Sequence, residues 1–308
     1  MLRDLQNMLI KWFFAGCCAL LASLPCFGAD VGTLTLIDGK ARMLRGTAWY
    51  NVVEGVRIRE GDVVDAPEKT QFQVELTDGG VLSLIGPGAL YVVAATPGDA
   101  KSRALDEFWV TKGWLKFDTK APGSRLRIRS GPGTVTVGEG AAVVRIGSDS
   151  FEVFVETGAA RVADGPGGEI KAGGFTSRTA GKPFVSAERA PAAFIAVLPR
   201  DFMDPLPLRA ARFATPREPV LEREATYAEV QSWLNGPYRA AFARRFDAKM
   251  NDPTFKPAAD AVGKAAPDAS PAVAKPATAA PVAKVEPAKE EKKEPERTWR
   301  WPWEKAGK

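Results

Sequence analysis

The chain has 308 residues, a net charge of +5, three cysteines and no histidine. Lack of histidine excludes imidazole bases, Ser-His triads and the usual zinc or haem ligation. Cys17, Cys18 and Cys26 all precede the first expected strand, so the folding part has no disulfide or thiol nucleophile either, which leaves carboxylate, lysine, serine and tyrosine chemistry.

The opening stretch, 1–29, reads as a secretory signal. Arg3 and Lys11 supply positive charge, Trp12 to Leu24 form a short apolar core, and Pro25 with small Gly28 and Ala29 precede the first strand. Cleavage after Gly28 or Ala29 is the expectation; an uncleaved inner-membrane anchor is the alternative, with an apolar run near the short end of a span. Either way the chain is expected in the periplasm or the cell envelope.

From 30 to 186 the pattern is short strands with period two. Thr33-Leu-Thr-Leu, Phe72-Gln-Val-Glu-Leu, Val81-Leu-Ser-Leu, Arg125-Leu-Arg-Ile-Arg and Thr134-Val-Thr-Val alternate, and Phe151-Glu-Val-Phe-Val continues the pattern. Such alternation predicts one buried and one wet face per strand. Glycine, Asp-Gly and Pro-Gly close the segments, supplying the turn conformations. Barrel, sandwich and solenoid all satisfy this pattern.

An irregular strap rich in proline and arginine, 187–225, comes next. The period then changes to that of a helical hairpin over 226–253. Thr226-Tyr-Ala-Glu229 has the form of a capping box. Val230, Trp233 and Leu234 share a stripe, Asn235-Gly-Pro237 stops the first helix, and Tyr238, Ala241, Phe242 and Phe246 share a stripe on the second. The stripe predicts docking onto the β domain, and Arg245 within it is expected to pair with a carboxylate there.

The remainder, 254–308, is dominated by Ala, Pro, Lys and Glu and is expected to be a disordered spacer. From Lys256 onward it carries eleven basic and eight acidic residues, so most of the net charge sits here and the folding part is near neutral. That distribution argues against a nucleic-acid partner. The tail ends in Trp299-Arg-Trp-Pro-Trp303.

Two stretches carry a resemblance. Glu60-Gly-Asp-Val-Val-Asp-Ala-Pro, with Phe72-Gln-Val-Glu-Leu-Thr-Asp-Gly-Gly-Val-Leu-Ser-Leu, resembles the opening of the FecR domain. Thr111-Lys-Gly-Trp-Leu-Lys-Phe resembles its internal strand pair, and Arg127 to Ile146 with Phe151 to Val162 its closing repeats; the match is strongest over 56–174. The resemblance implies a mainly β fold: a FecR-like antiparallel or solenoidal β domain, then the small α-helical hairpin and the tail. It also implies a periplasmic, non-enzymatic module used for sensing or binding. The family's founding members carry a cytoplasmic sigma-factor-binding region; with about eleven residues ahead of the apolar segment here, that role is not expected to carry over.

Trp49, Tyr50, Trp109 and Trp114 are candidates for an aromatic platform, weighed against plugging the β core. Glu54, Glu60, Asp62 and Asp65 lack the ligand spacing of a hard-cation loop and read as solvated turn residues. Trp299, Arg300, Trp301 and Trp303 form the sharpest candidate contact, for a membrane interface or a partner pocket. No catalytic residue, metal or cofactor is expected. The leading reading is an exported non-catalytic sensor or scaffold binding an envelope protein, the membrane surface or cell-wall glycan. The alternatives are an accessory in transporter-linked signalling and a glycan-active enzyme using a carboxylate pair.

Overall fold

The computed structural model describes residues 30–93, 105–119, 123–163 and 169–255. All lie in the first of two compact units, Met1–Ala258. The expected signal and the tail's Trp/Arg tip fall outside the described residues.

Strands come in quick succession: β1 (Asp30–Asp38), β2 (Arg42–Arg45), β3 (Ala48–Asn51), β4 (Arg57–Arg59), β5 (Val63–Ala66) and β6 (Gln71–Leu76). Next are β7 (Val81–Ile85), β8 (Gly88–Val92), β9 (Leu105–Val110), β10 (Gly113–Thr119) and β11 (Arg125–Arg129). Two 13-residue strands, β12 (Thr134–Ile146) and β13 (Ser150–Val162), lead to the short β14 (Glu169–Lys171), β15 (Phe175–Thr179) and β16 (Val185–Ala187). Helix α1 (Ala192–Ala196) opens the strap, which continues through 3-10 turns at Arg200–Phe202 and Ala210–Phe213 into β17 (Val220–Glu224). Helices α2 (Tyr227–Leu234) and α3 (Arg239–Met250) follow.

The fold is mainly β. The pairings make two ladders. One runs β4-β1-β6-β7-β10 and meets the second half of β12, the first half of β13, then β15 and β16. The other runs β17-β3-β2-β5-β8-β9-β11 and meets the first half of β12, the second half of β13, then β14. Every pairing is antiparallel except β9 with β11, which is parallel. Because β12 and β13 belong to both ladders, the two layers are continuous through them.

That continuity requires both long strands to bend at the same level. Their register breaks between Val137 and Gly140, where Gly140 (φ +144°) faces Gly158 (φ +72°). A Cβ on Gly158 would lie 2.0 Å from the Glu139 carbonyl oxygen, so no other residue fits the bend.

Between the layers lies one apolar core. Leu34, Phe72, Leu82, Phe117 and Val144 of the first layer pack with Met43, Val64, Leu90, Phe108 and Ile128 of the second, all fully or almost fully buried. The alternation thus predicts the inner faces correctly. The outer faces, expected to be wet, are largely covered, because the strap crosses one and the hairpin lies on the other.

Candidate functional site

On the outer face of the first layer, one cross-strand row runs Gln73, Ser83, Lys116, Val143, Phe154, Phe175. Its polar half is buried under the strap and consumed by the strap's backbone. The Lys116 ammonium donates to the Phe202 carbonyl at 2.8 Å, the Asp204 carbonyl at 3.0 Å and the Glu156 carboxylate at 2.7 Å. Those three bonds use all three of its donors. Gln73 donates to the Pro207 carbonyl at 2.8 Å and to Thr35 at 3.1 Å. Glu75 accepts the backbone N–H groups of Arg209 and Ala210. An irregular segment has no ladder to satisfy its peptide groups, and these side chains do so instead. The aromatic half of the row receives Phe194 of α1, whose ring lies 5.1 Å from that of Phe175 and 5.3 Å from that of Trp114.

The outer face of the second layer carries Leu44, Trp49, Val63, Ala89 and Tyr91, and the hairpin covers them with Val230, Trp233, Leu234, Phe242 and Phe246. Tyr91 is the hub, with ring centroids 5.0 Å from Phe242, 5.2 Å from Tyr238 and 6.0 Å from Trp233. The capping box forms as the sequence predicts: the Thr226 backbone N–H donates to Glu229 at 3.0 Å. Glu229 also accepts from Arg223, and chiefly that bond holds its carboxyl down to about 2. Among the described residues Arg245 pairs with no carboxylate: it donates to the Gly61 carbonyl and lies over the rings of Phe242 and Tyr91. Gly61 has φ +90°, and a Cβ there would collide with the guanidinium.

Where the hairpin ends its cover, Glu107 gathers three partners. The buried carboxylate accepts from the Tyr238 hydroxyl at 2.8 Å, from Arg129 at 3.1 Å and from Arg127 at 3.3 Å. Burial pushes its carboxyl up, and the bonds from Tyr238 and the two arginines outweigh that and hold it below its ordinary value. Burial together with the Glu107 charge raises the Tyr238 hydroxyl well above the ordinary tyrosine range. The Trp109 ring meets Tyr238 edge-on at 5.5 Å. On the same strand Asp106 faces the other way, and burial, then the charge of Asp78, pushes its carboxyl up to about 6.

The four candidate aromatics do not share a surface. Trp49 is buried under the hairpin with Arg42 over its ring at 4.6 Å, and its indole N–H has no hydrogen-bond partner among the described residues. Trp109 is half-buried beside Tyr238, Trp114 lies across the sandwich against Phe194, and Tyr50 sits on β3 opposite Met43. The Trp299, Arg300, Trp301 and Trp303 candidates lie outside the described residues.

Of the four acidic turn residues, Asp62 is structural rather than solvated, and Glu54, Glu60 and Asp65 are partly exposed. Asp62 is buried and accepts from Arg45 at 2.7 Å and from the Arg59 backbone at 2.8 Å, while Asp65 pairs with Arg42 at 3.0 Å. Sequence reasoning missed Glu107, Gln73, Glu75 and Lys116 altogether. The available signal was a charge or amide at an alternate position inside an otherwise apolar strand, which reads as an ordinary wet face. Among the described residues no group of three or more acidic side chains is placed to hold a metal ion, and no helix is long and apolar enough to cross a membrane.

The depressions among the described residues include three with defined linings. A groove of about 480 Å³ lies between the edges of β14 and β16, lined by Ile170, Lys171, Phe175 and Ser186. Another of about 560 Å³ is bounded by Arg42, Asn51, Pro67 and Glu222. A small one of about 110 Å³ is walled by Arg45, Arg57, Arg59 and Arg217; the first three of these arginines are engaged with Asp62, Thr33 and Asp30.

Neither a family model nor a curated protein matches the chain. Two crystal structures of a candidate anti-sigma factor from Parabacteroides distasonis ATCC 8503, at 1.65 and 2.50 Å resolution, are similar to it. Each is 16% identical with a TM-score of 0.35, over 41% of this chain and 59% of the other, so the likeness spans less than two thirds of the other chain's length.

Proposed function

We propose that the chain is an exported, non-catalytic binding module of the cell envelope, FecR-like in its β domain. The observation that carries this reading is the use made of the buried ionisable groups. Glu75, Lys116 and Glu156 fasten the strap, Glu107 fastens the hairpin, and Asp62 fastens a turn. Groups committed in this way hold shape and are not free to move protons. What the module offers an envelope protein, membrane surface or cell-wall glycan is surface, together with the Trp299 to Trp303 tip.

In-cell crosslinking and fractionation, comparing the full chain with one ending at Glu296, tests the reading. Discrete envelope partners captured by the full chain support it, and their persistence after truncation moves the contact from the tip to the β domain. Recovery of the chain wholly in the cytoplasmic fraction would refute export.

One observation favours a second reading, a glycan-active enzyme. Asp106, at about 6 and influenced by Asp78, has the raised value that a general acid needs. Turnover of cell-wall fragments that disappears in Asp106→Asn would establish it, and its absence in the unaltered protein would dismiss it.

A further inference from the structure

The part of the second layer that the hairpin leaves uncovered has an ordered surface. β11, the first half of β12 and the second half of β13 lie side by side there, with Arg127, Thr136 and Arg161 in one cross-strand row. Arg125 and Arg129 flank Arg127 on the same face of β11, and Thr134 lies across from Arg129. Three arginines on β11 therefore bank one side of a floor of two threonines, and Arg161 of β13 alone banks the other. Two inter-strand steps put the banks about 10 Å apart, and alternate positions on β11 set its arginines about 7 Å from one another.

Glu107 and Glu169 close the Arg127 row at its two ends. Glu107 is 9% exposed and grips Arg127 and Arg129 from behind, while their side chains remain about 40% exposed. Arg125 and Arg161 are exposed and make no ion pair among the described residues. The centre of the slot is thus positive and hydroxyl-lined, its guanidinium groups partly fixed in orientation. At one end stand the half-buried Trp109, level with Arg129 in the β9–β11 register, and Tyr238.

We infer that this slot binds a linear anionic glycan, its carboxylate or phosphate groups held by Arg125, Arg127, Arg129 and Arg161 and its hydroxyls by Thr134 and Thr136. The inference rests on the binding-module reading and names the ligand class. Charge complementarity selects an anion. The slot's floor and banks carry no aliphatic anchor, which favours a glycan over a protein: the exposed large aliphatic residues among those described are Val53, Val185, Val197, Leu208, Val220 and Leu221, all elsewhere, and Trp109 and Tyr238 stand at one end only. A lipid surface would likewise call for apolar groups that insert. The half-buried Trp109, steadied edge-on by Tyr238, suits a sugar face at the slot's end.

The test is fluorescence anisotropy with labelled oligogalacturonate and purified full-length chain at 50 mM salt. Unlabelled dextran, poly-glutamate and phosphatidylglycerol vesicles serve as competitors. Expected are saturable binding that weakens at least tenfold in Arg125→Glu/Arg161→Glu, a further loss on raising salt to 500 mM, and competition by neither dextran nor poly-glutamate. Both substituted residues are exposed, and an unchanged thermal midpoint confirms that the variant folds. Arg200→Glu, on the strap, alters net charge elsewhere and should bind as the unaltered chain does. No binding, equal loss in Arg200→Glu, or poly-glutamate or vesicles competing better than unlabelled oligogalacturonate would each overturn the inference. Because the assay uses purified protein, failure of envelope capture in cells with glycan binding intact counts against the cellular reading alone.

Discussion

Lys116 and Glu229 show how much depends on what a single charge meets. Lys116 is 1% exposed in its side chain, and its three bonds make the strap part of the fold. Lys116→Ala would leave Glu156 and two carbonyls without their donor, and breaking a buried pair of this kind costs about 3–5 kcal/mol. The expected outcome is a lower urea midpoint with an unchanged m value, and faster amide exchange over 200–210 than in the hairpin. Glu229 tests a different case, a half-buried cap at the surface. Its carboxyl is depressed from 4.5 to about 2 in the folded chain. A depressed carboxylate contributes stability that is fully present above its unfolded value near 4.5 and is lost as pH falls towards 2. Glu229→Gln should therefore lower the thermal midpoint at pH 7 and flatten its decline between pH 4.5 and 2. A thermal melt series over that range checks both.

At the scale of elements, the bend shared by β12 and β13 and the docked hairpin decide the architecture. Gly158→Ala places a Cβ against the Glu139 carbonyl and forces a positive φ on alanine. Strain of about 1–3 kcal/mol for the conformation, plus the clash, should destabilise the protein by more than 2 kcal/mol. Gly173→Ala, also at positive φ but with nothing within 4 Å of its Cβ, should cost less; paired denaturant curves separate clash from conformation. In the hairpin, Phe242 is fully buried and stacks on Trp233 at 5.3 Å. Phe242→Ala should cost about 3–5 kcal/mol, read as a drop in the denaturant midpoint. The hairpin was legible from sequence because a capping box, a Gly-Pro stop and two apolar stripes are local signals. That β17 forms inside the stretch expected to be an irregular strap was not legible: Val220 and Leu221 are exposed, and only pairing with β3 makes their segment a strand.

For the molecule as a whole, the two coverings distinguish this chain from a bare sandwich. Removing the hairpin would expose Leu44, Val63 and Tyr91 on an otherwise closed layer, and removing the strap would leave Gln73, Glu75 and Lys116 facing water. The two losses should differ in kind. Cleavage at a protease site introduced at 204–209, beyond α1 and its Phe194, should free chain that covers mainly polar side chains and leave a compact sandwich with little dye-binding surface, whereas truncation after Arg223 should raise ANS fluorescence sharply. Period, turn chemistry and composition act over a few neighbouring residues, so most strands of the two layers, their inner faces, the hairpin and the poverty of reactive side chains are legible in the sequence. Long-range pairing sets the rest: two layers run continuously through β12 and β13, polar strand positions clamp a strap, and arginines of β11 face Arg161 of β13 over β12. Those outcomes depend on partners far apart in the chain, such as Glu75 with Arg209 or Glu107 with Tyr238. An alternating pattern states that a face is polar; what lies on that face is set by chain that arrives from elsewhere.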